Sequence, residues 1–240
     1  LPVALVLRCR WPRGRDWIGV AALGVMFYGA FFVVYAEALV YTTAARGALA
    51  ISTLPLLTMI VAALLEKEKL TVRKSVGVLV AMSGVALALA AGLAEAPAQA
   101  WRGDLIMTAG MLSMALYNVL SRPFMQRSSP LGYATAGMAF GGGFNALLVL
   151  QSGGFAAVAA FGPAQWAGVL YLGVFAGALG FYLWVYALER ATPTRVANTI
   201  TVSPIAAAAL GAVLLGEPIG ASLLIGIAAV ALGIWIASTQ

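Results

Sequence analysis

The chain has 240 residues, of which 62% are hydrophobic and 9% charged, with a mean hydropathy of +0.98. A soluble domain carries about 25% charge, and a disordered chain is poor in apolar residues, so the composition excludes both and leaves lipid as the solvent. Cys9 stands alone and histidine is absent, which removes disulfide frameworks, His-dependent triads and most metal-ligand sets; no metal and no cofactor is expected.

A bilayer core of about 30 Å needs roughly 20 apolar residues in a helix, because every backbone polar group must be satisfied within the segment. Eight spans meet this requirement: 17–41, 44–65, 74–93, 103–121, 131–151, 166–189, 194–216 and 219–238, preceded by an apolar run at Leu1–Leu7. In the first span, Tyr28, Phe31, Phe32 and Tyr35 recur at spacings of three and four and so form one helical stripe. Glu37 lies within the same span, about a turn from its end, and Arg46 follows across a short turn. The second span carries Ser52 and a mid-helix Pro55, and Asn118 lies in the span 103–121. Phe181 and Trp184 lie in the span 166–189, followed by Asn198, Thr201 and the second mid-helix proline, Pro204.

Twelve of the 14 basic residues, Arg8, Arg10, Arg13, Arg15, Lys67, Lys69, Arg73, Lys74, Arg122, Arg127, Arg190 and Arg195, fall on one side of this topology. Only Arg46 and Arg102 fall on the other. The positive-inside rule makes the first side cytoplasmic, together with the C-terminus. The net charge of +6 is thereby a topology signal, and no nucleic-acid role is expected.

Displacing the chain against itself by 149 residues aligns 17–84 with 166–233 without a gap, with 19 identities in 68 positions. They include Trp17/Trp166, Phe32/Phe181, Arg46/Arg195, Pro55/Pro204, Glu68/Glu217, Gly77/Gly226 and Gly84/Gly233. Two further spans precede the second copy, so the complete unit has five, and an odd number makes the copies cross the membrane in opposite senses. The expected fold is an all-α polytopic membrane protein of ten helices in two inverted five-helix repeats. By the same offset the first copy lacks its first helix and most of its second, and the chain opens on Leu1 within an apolar run. The domains are then 1–93, a partial first repeat; 94–102, a linker; and 103–240, the second repeat.

Each copy runs from an aromatic and Ala-Leu through a short polar turn and small residues to a proline, then Leu-x-x-Glu and a Gly-rich helix. In the second copy this is Trp184 to Leu188, Thr194 to Pro204, Leu214 to Glu217 and Gly226. The pattern resembles the EamA repeat of the drug/metabolite transporter superfamily, and the aromatic-rich 17–41 span and second copy are most similar to its YddG-type amino-acid exporters. The first copy departs from it at Glu66-Lys67-Glu68, where Leu-Gly-Glu is usual.

The resemblance implies a secondary transporter exporting aromatic or neutral amino acids, or related small metabolites, from a bacterial cytoplasm by alternating access. Its partners are then a small-molecule substrate and the lipid bilayer of the inner membrane, and the oligomeric state is open. A passive facilitator and a drug or nucleotide-sugar carrier of the same superfamily are the alternatives. ATP hydrolysis and membrane enzymology lack a sequence basis, since no phosphate loop or catalytic cluster is present.

A cavity for such a solute needs aromatic walls and a few fixed hydrogen-bonding groups. Tyr28, Phe31, Phe32, Tyr35, Phe181 and Trp184 are the aromatic candidates, with packing or lipid contact as the competing use. Ser52, Asn118, Asn198 and Thr201 are the polar ones, because polar groups inside spans need partners. Pro55 and Pro204 free the carbonyls of Ile51 and Ile200, having no N–H to donate to them. Those carbonyls and the hydroxyls of Ser52 and Thr201 either hold an ammonium group or water, or the hydroxyls bond back within their helices. Glu37 is either a gating or proton-coupling carboxylate or the ion-pair partner of Arg46. Gly77 with Gly84, and Gly226 with Gly233, lie seven apart on helix faces that allow close helix contact, within the chain or between copies.

Overall fold

The structure, a computed structural model, describes residues 9–88, 97–203, 205–206 and 221–238. The described residues form helices without strands. In chain order they are α1 (Asp16–Tyr41), α2 (Ala44–Ile51), α3 (Leu54–Leu64), α4 (Val72–Ala88), α5 (Ala100–Leu120), α6 (Arg122–Arg127), α7 (Pro130–Gln151), α8 (Pro163–Arg190), α9 (Pro193–Asn198) and α10 (Ala221–Ser238). Five stretches among them are long and apolar enough to cross a membrane: Asp16–Tyr41, Arg46–Leu64, Ala100–Arg127, Pro130–Gln151 and Pro163–Arg190. This is an all-α, multi-pass membrane architecture.

Two details differ from the uninterrupted spans expected. The stretch 44–65 is broken at Ser52–Thr53, and Pro55 stands in the first turn of α3 rather than mid-helix. A proline is favoured there because its missing N–H is one that a first turn leaves unpaired anyway. In the stretch 194–216, α9 passes at Thr199–Thr201 into a 3-10 turn; Pro204 and Glu217 lie outside the described residues. The second difference is a π-helical stretch inside each of the two longest helices that repeat, Val25–Ala30 in α1 and Leu172–Gly180 in α8. The 149-residue offset carries the first onto 174–179, within the second.

Contacts divide the chain into two compact units, Leu1–Phe32 with Leu120–Ala191, and Val33–Val119 with Thr192–Gln240. In the first unit α7 packs along the start of α1 and against the end of α8. A side chain at Gly24 would stand 2.6 Å from the Gly137 carbonyl oxygen, so the two backbones touch. Asn145 on α7 donates its amide N–H to the Tyr28 carbonyl, 3.1 Å away, within the π stretch. At the other end of the unit Arg127 forks onto the Asp16 carboxylate at 2.8 and 2.7 Å, and Ser121 Oγ shares a hydrogen bond of 2.6 Å with the Tyr133 hydroxyl.

The second unit is built on the crossing of α4 and α10, helices that correspond residue for residue by the repeat offset. A Cβ on Gly77 would meet the Gly233 carbonyl at 2.7 Å, and one on Gly84 would meet the Gly226 carbonyl at 2.9 Å. Since Gly226 is the equivalent of Gly77, and Gly233 of Gly84, each contact is the other's image. Such reciprocity is the mark of a two-fold axis between the helices. These glycines therefore face each other inside the chain, not across a contact between copies.

Candidate functional site

In the first unit the aromatic residues gather around Phe27, which the heptad-like spacing did not single out. Its ring lies 4.9 Å from Tyr28, 5.5 Å from Phe31, 6.5 Å from Phe32 and 5.5 Å from Phe181, centroid to centroid. Phe181 stands edge-on to Tyr28 at 5.1 Å and to Phe32 at 5.9 Å. A π stretch turns less per residue than an α-helix, so the register changes between Tyr28 and Phe31 and Phe27 enters the cluster. Phe27, Tyr28 and Phe31 are buried, whereas Phe32 keeps 39% exposure. Phe181 meets Phe27, Tyr28 and Phe32 edge to face, the geometry ring quadrupoles favour, while Phe27 lies tilted against Tyr28, Phe31 and Phe32. Phe32 and Phe181 are repeat equivalents that touch each other. Trp184, half-buried, belongs to the same unit, and Tyr35, also half-buried, to the other.

In the second unit Ser52, Asn118, Asn198 and Thr201 are all buried. Ser52 Oγ donates to the Ala48 carbonyl at 2.9 Å and Thr201 Oγ1 to the Asn198 carbonyl at 2.7 Å. Both hydroxyls thus bond back within their own helices, and only their lone pairs remain for a donor such as an ammonium group or water. Asn198 Oδ1 and Nδ2 are both buried without a hydrogen-bond partner among the described residues, as are Thr58 Oγ1 and Thr194 Oγ1. The two threonines carry no signal in the sequence beyond being polar inside apolar stretches.

Arg46 does not pair with Glu37. Its guanidinium forks onto Asp104, with Nε 3.3 Å from Oδ1 and a second bond to Oδ2, while Thr42 Oγ1 donates to the same carboxylate at 3.1 Å. The physical reason is Gly103: a Cβ there would stand 2.6 Å from the Ala38 carbonyl and 2.7 Å from Thr42 Cβ, so α5 lies against the end of α1 and delivers Asp104 to the turn. Glu37 is exposed and forms no ion pair among the described residues. The most enclosed ion pair of the second unit is at the opposite boundary, where Glu68 bonds Lys74 at 3.0 Å with its side chain 5% exposed. The other Glu68 oxygen accepts the Thr194 N–H at 3.0 Å and so caps the first turn of α9.

The EamA-like transporter family matches residues 1–90 and 101–239. The chain is 27% identical over 225 residues to the uncharacterized transporter YyaM of Bacillus subtilis (strain 168), covering 93% of this chain and 72% of that one. It is 30% identical over 213 residues to a probable terminal-alkyne amino-acid exporter of Streptantibioticus cattleyicolor, covering 88% of this chain and 69% of that one. It spans between 60% and 81% of the length of the curated relatives it matches. A solved crystal structure of a protein 21% identical superposes with a TM-score of 0.76 over 92% of this chain and 76% of the other, a likeness of fold. The family and the relatives' names point to transport rather than to enzymology. With both long segments of the chain matched and the helices able to span a bilayer, the protein belongs to the EamA-like transporter family of the drug/metabolite transporter superfamily.

Proposed function

We propose that the protein is a secondary transporter that exports aromatic or neutral amino acids, or related small metabolites, across a bacterial plasma membrane. Two inverted five-helix repeats, 1–93 and 103–240 joined by 94–102, alternate access to the two sides, with the C-terminus cytoplasmic. The observation that carries this reading is the reciprocal crossing of α4 and α10 at Gly77/Gly233 and Gly84/Gly226. Helices of opposite sense related by a local two-fold are the building plan of rocking transporters. The π stretches at equivalent places in α1 and α8 support it, since such wide turns recur at functional positions.

Within the first unit by itself, the candidates for contact with apolar moieties of a solute are the rings of Tyr28, Phe31, Phe32, Phe181 and Trp184. Within the second unit by itself the candidates are Tyr35 for apolar moieties and Ser52, Asn118, Asn198 and Thr201 for polar groups, with Pro55 just after the break at Ser52–Thr53. Arg46 acts as part of an outer gate through Asp104, and Glu37 is the candidate coupling carboxylate. The amino-acid class is supported by the relative in Streptantibioticus cattleyicolor named for amino-acid export.

The test is counterflow. Full-length protein in liposomes preloaded with unlabelled Phe, Trp, Thr or Met takes up the labelled amino acid in a saturable, exchange-stimulated manner; absence of saturable uptake for all four rejects the amino-acid class. A Glu37→Gln variant that retains the full effect of a proton gradient rejects the coupling role.

A further inference from the structure

On α3 and α9 of the second unit lie three buried polar side chains with hydrogen-bonding capacity unmet among the described residues. Thr58 on α3 is 0% exposed, Thr194 on α9 2% and Asn198 on α9 1%, and Thr58 Oγ1, Thr194 Oγ1, Asn198 Oδ1 and Asn198 Nδ2 lack partners among the described residues. Thr194 and Asn198 are four apart and so share one face of α9. The α3 and α9 helices pack against each other. They are also aligned at one end, because the Thr194 N–H is bonded to Glu68 in the segment that follows α3. From there, helical rise places Asn198 about 6 Å deeper along α9 and Thr58 about 9 Å from the end of α3. The end of α3 meets the start of α9, so the two helices run in opposite directions and Thr58 and Asn198 come to similar depth on them.

An unmet buried polar group is costly because its lost hydration is not replaced, and inside a bilayer no water stands by to relieve it. Four such atoms concentrated on two packed helices, in a chain this apolar, mark a place that receives a hydrophilic occupant. The chemistry of the occupant follows from the groups. They are one amide and two hydroxyls, able to donate and accept, with no charge of their own. The carboxylate at the mouth of the seam, Glu68, is already neutralised by Lys74, and Arg195 on α9 is itself engaged. Uncharged groups satisfy hydrogen bonds but do not offset a buried net charge.

We propose that the α3–α9 seam, lined by Thr58, Thr194 and Asn198, is a binding site on the cytoplasmic side for the polar head of a net-neutral solute, zwitterionic amino acids being the class it suits. The repeat supports a dedicated role, because the equivalent of Asn198 in the first copy is Leu49. An amide was therefore placed in one copy where the fold accepts leucine in the other. The site rests on the transporter reading and adds to it a selection by net charge.

The experiment has two arms. In the first, Asn198→Leu is compared with wild type in counterflow against Thr, Phe, Lys and Glu. Thermal stability is retained, because an unmet polar group is replaced by the residue of the other copy; the KM for Thr and Phe rises about tenfold, the effect of one or two lost hydrogen bonds, and Lys and Glu are not carried by either protein. In the second, Thr58→Cys and Asn198→Cys are made in a Cys9→Ser background and exposed in inside-out vesicles to a small hydrophilic thiol reagent. Both cysteines react, and a saturating net-neutral solute, Thr, Phe or glycine betaine, slows the reaction several-fold. Inert cysteines overturn the site. Labelling that no net-neutral solute slows, with an unchanged KM in Asn198→Leu, shows a water pocket only and also overturns it, as does transport of Lys or Glu at the rate of Thr. If wild type carries none of the amino acids, the amino-acid reading fails on the first arm, while protection by glycine betaine in the second still decides the seam.

Discussion

Arg46 shows how a residue's partner is chosen by distance in space. Glu37 is its nearest acid upstream in sequence, yet the guanidinium goes to Asp104, 58 residues away, and the bond is forked. Asp104→Ala is expected to lower the melting temperature in detergent by an amount equivalent to about 1 kcal/mol, the modest worth of a partly exposed pair. Glu37→Gln, which loses no ion pair, is expected to leave it unchanged. A second residue-scale outcome concerns Glu66, whose φ of 54° at the end of α3 puts a side chain in the left-handed region. That region costs a non-glycine residue roughly 1–2 kcal/mol, so Glu66→Gly is expected to raise the melting temperature measured by dye-based thermal unfolding. The candidate polar residues Ser52, Asn198 and Thr201 were legible one by one, as polar groups inside spans. Thr58 and Thr194 were not, because only burial without a partner distinguishes them from threonines that bond back to their own helix.

Helices in lipid gain little from apolar stripes, since the lipid is as apolar as the partner, and contact is set by how closely backbones approach. The glycine spacing in 74–93 and 219–238 was therefore informative about a close face but silent on its partner. The structure pairs α4 with α10 and leaves Gly77 and Gly233 no room for a methyl group. Gly77→Ala and Gly233→Ala are each expected to destabilise by about 1–3 kcal/mol, read as a lower temperature of detergent-induced aggregation. Gly142→Ala on α7, where a Cβ meets nothing within 4 Å, is the control and is expected to be neutral or stabilising. The π stretches of α1 and α8 had no sequence signal, because the same residues serve either hydrogen-bond register. In α1 the wider turn coincides with the backbone contact at Gly24 and Gly137 and the Asn145 bond to the Tyr28 carbonyl.

For the whole molecule, the twelve-to-two distribution of basic residues makes a topology that labelling can check. In a Cys9→Ser background, Lys69→Cys is expected to react with a membrane-impermeant thiol reagent only from the cytoplasmic face and Gln99→Cys only from the outside; the reverse pattern would overturn the orientation. What the sequence determined by itself was the solvent, the approximate place of the five spans seen among the described residues and the 149-residue repeat, because composition, span length and self-similarity depend on residue order alone. The tertiary structure alone decided the break before Pro55, the transfer of Arg46 to Asp104, the ring cluster around Phe27 and the pairing of α4 with α10. The reason is physical: in a bilayer, partners are selected by close backbone approach and by the satisfaction of buried polar groups, and both depend on atoms far apart in the chain.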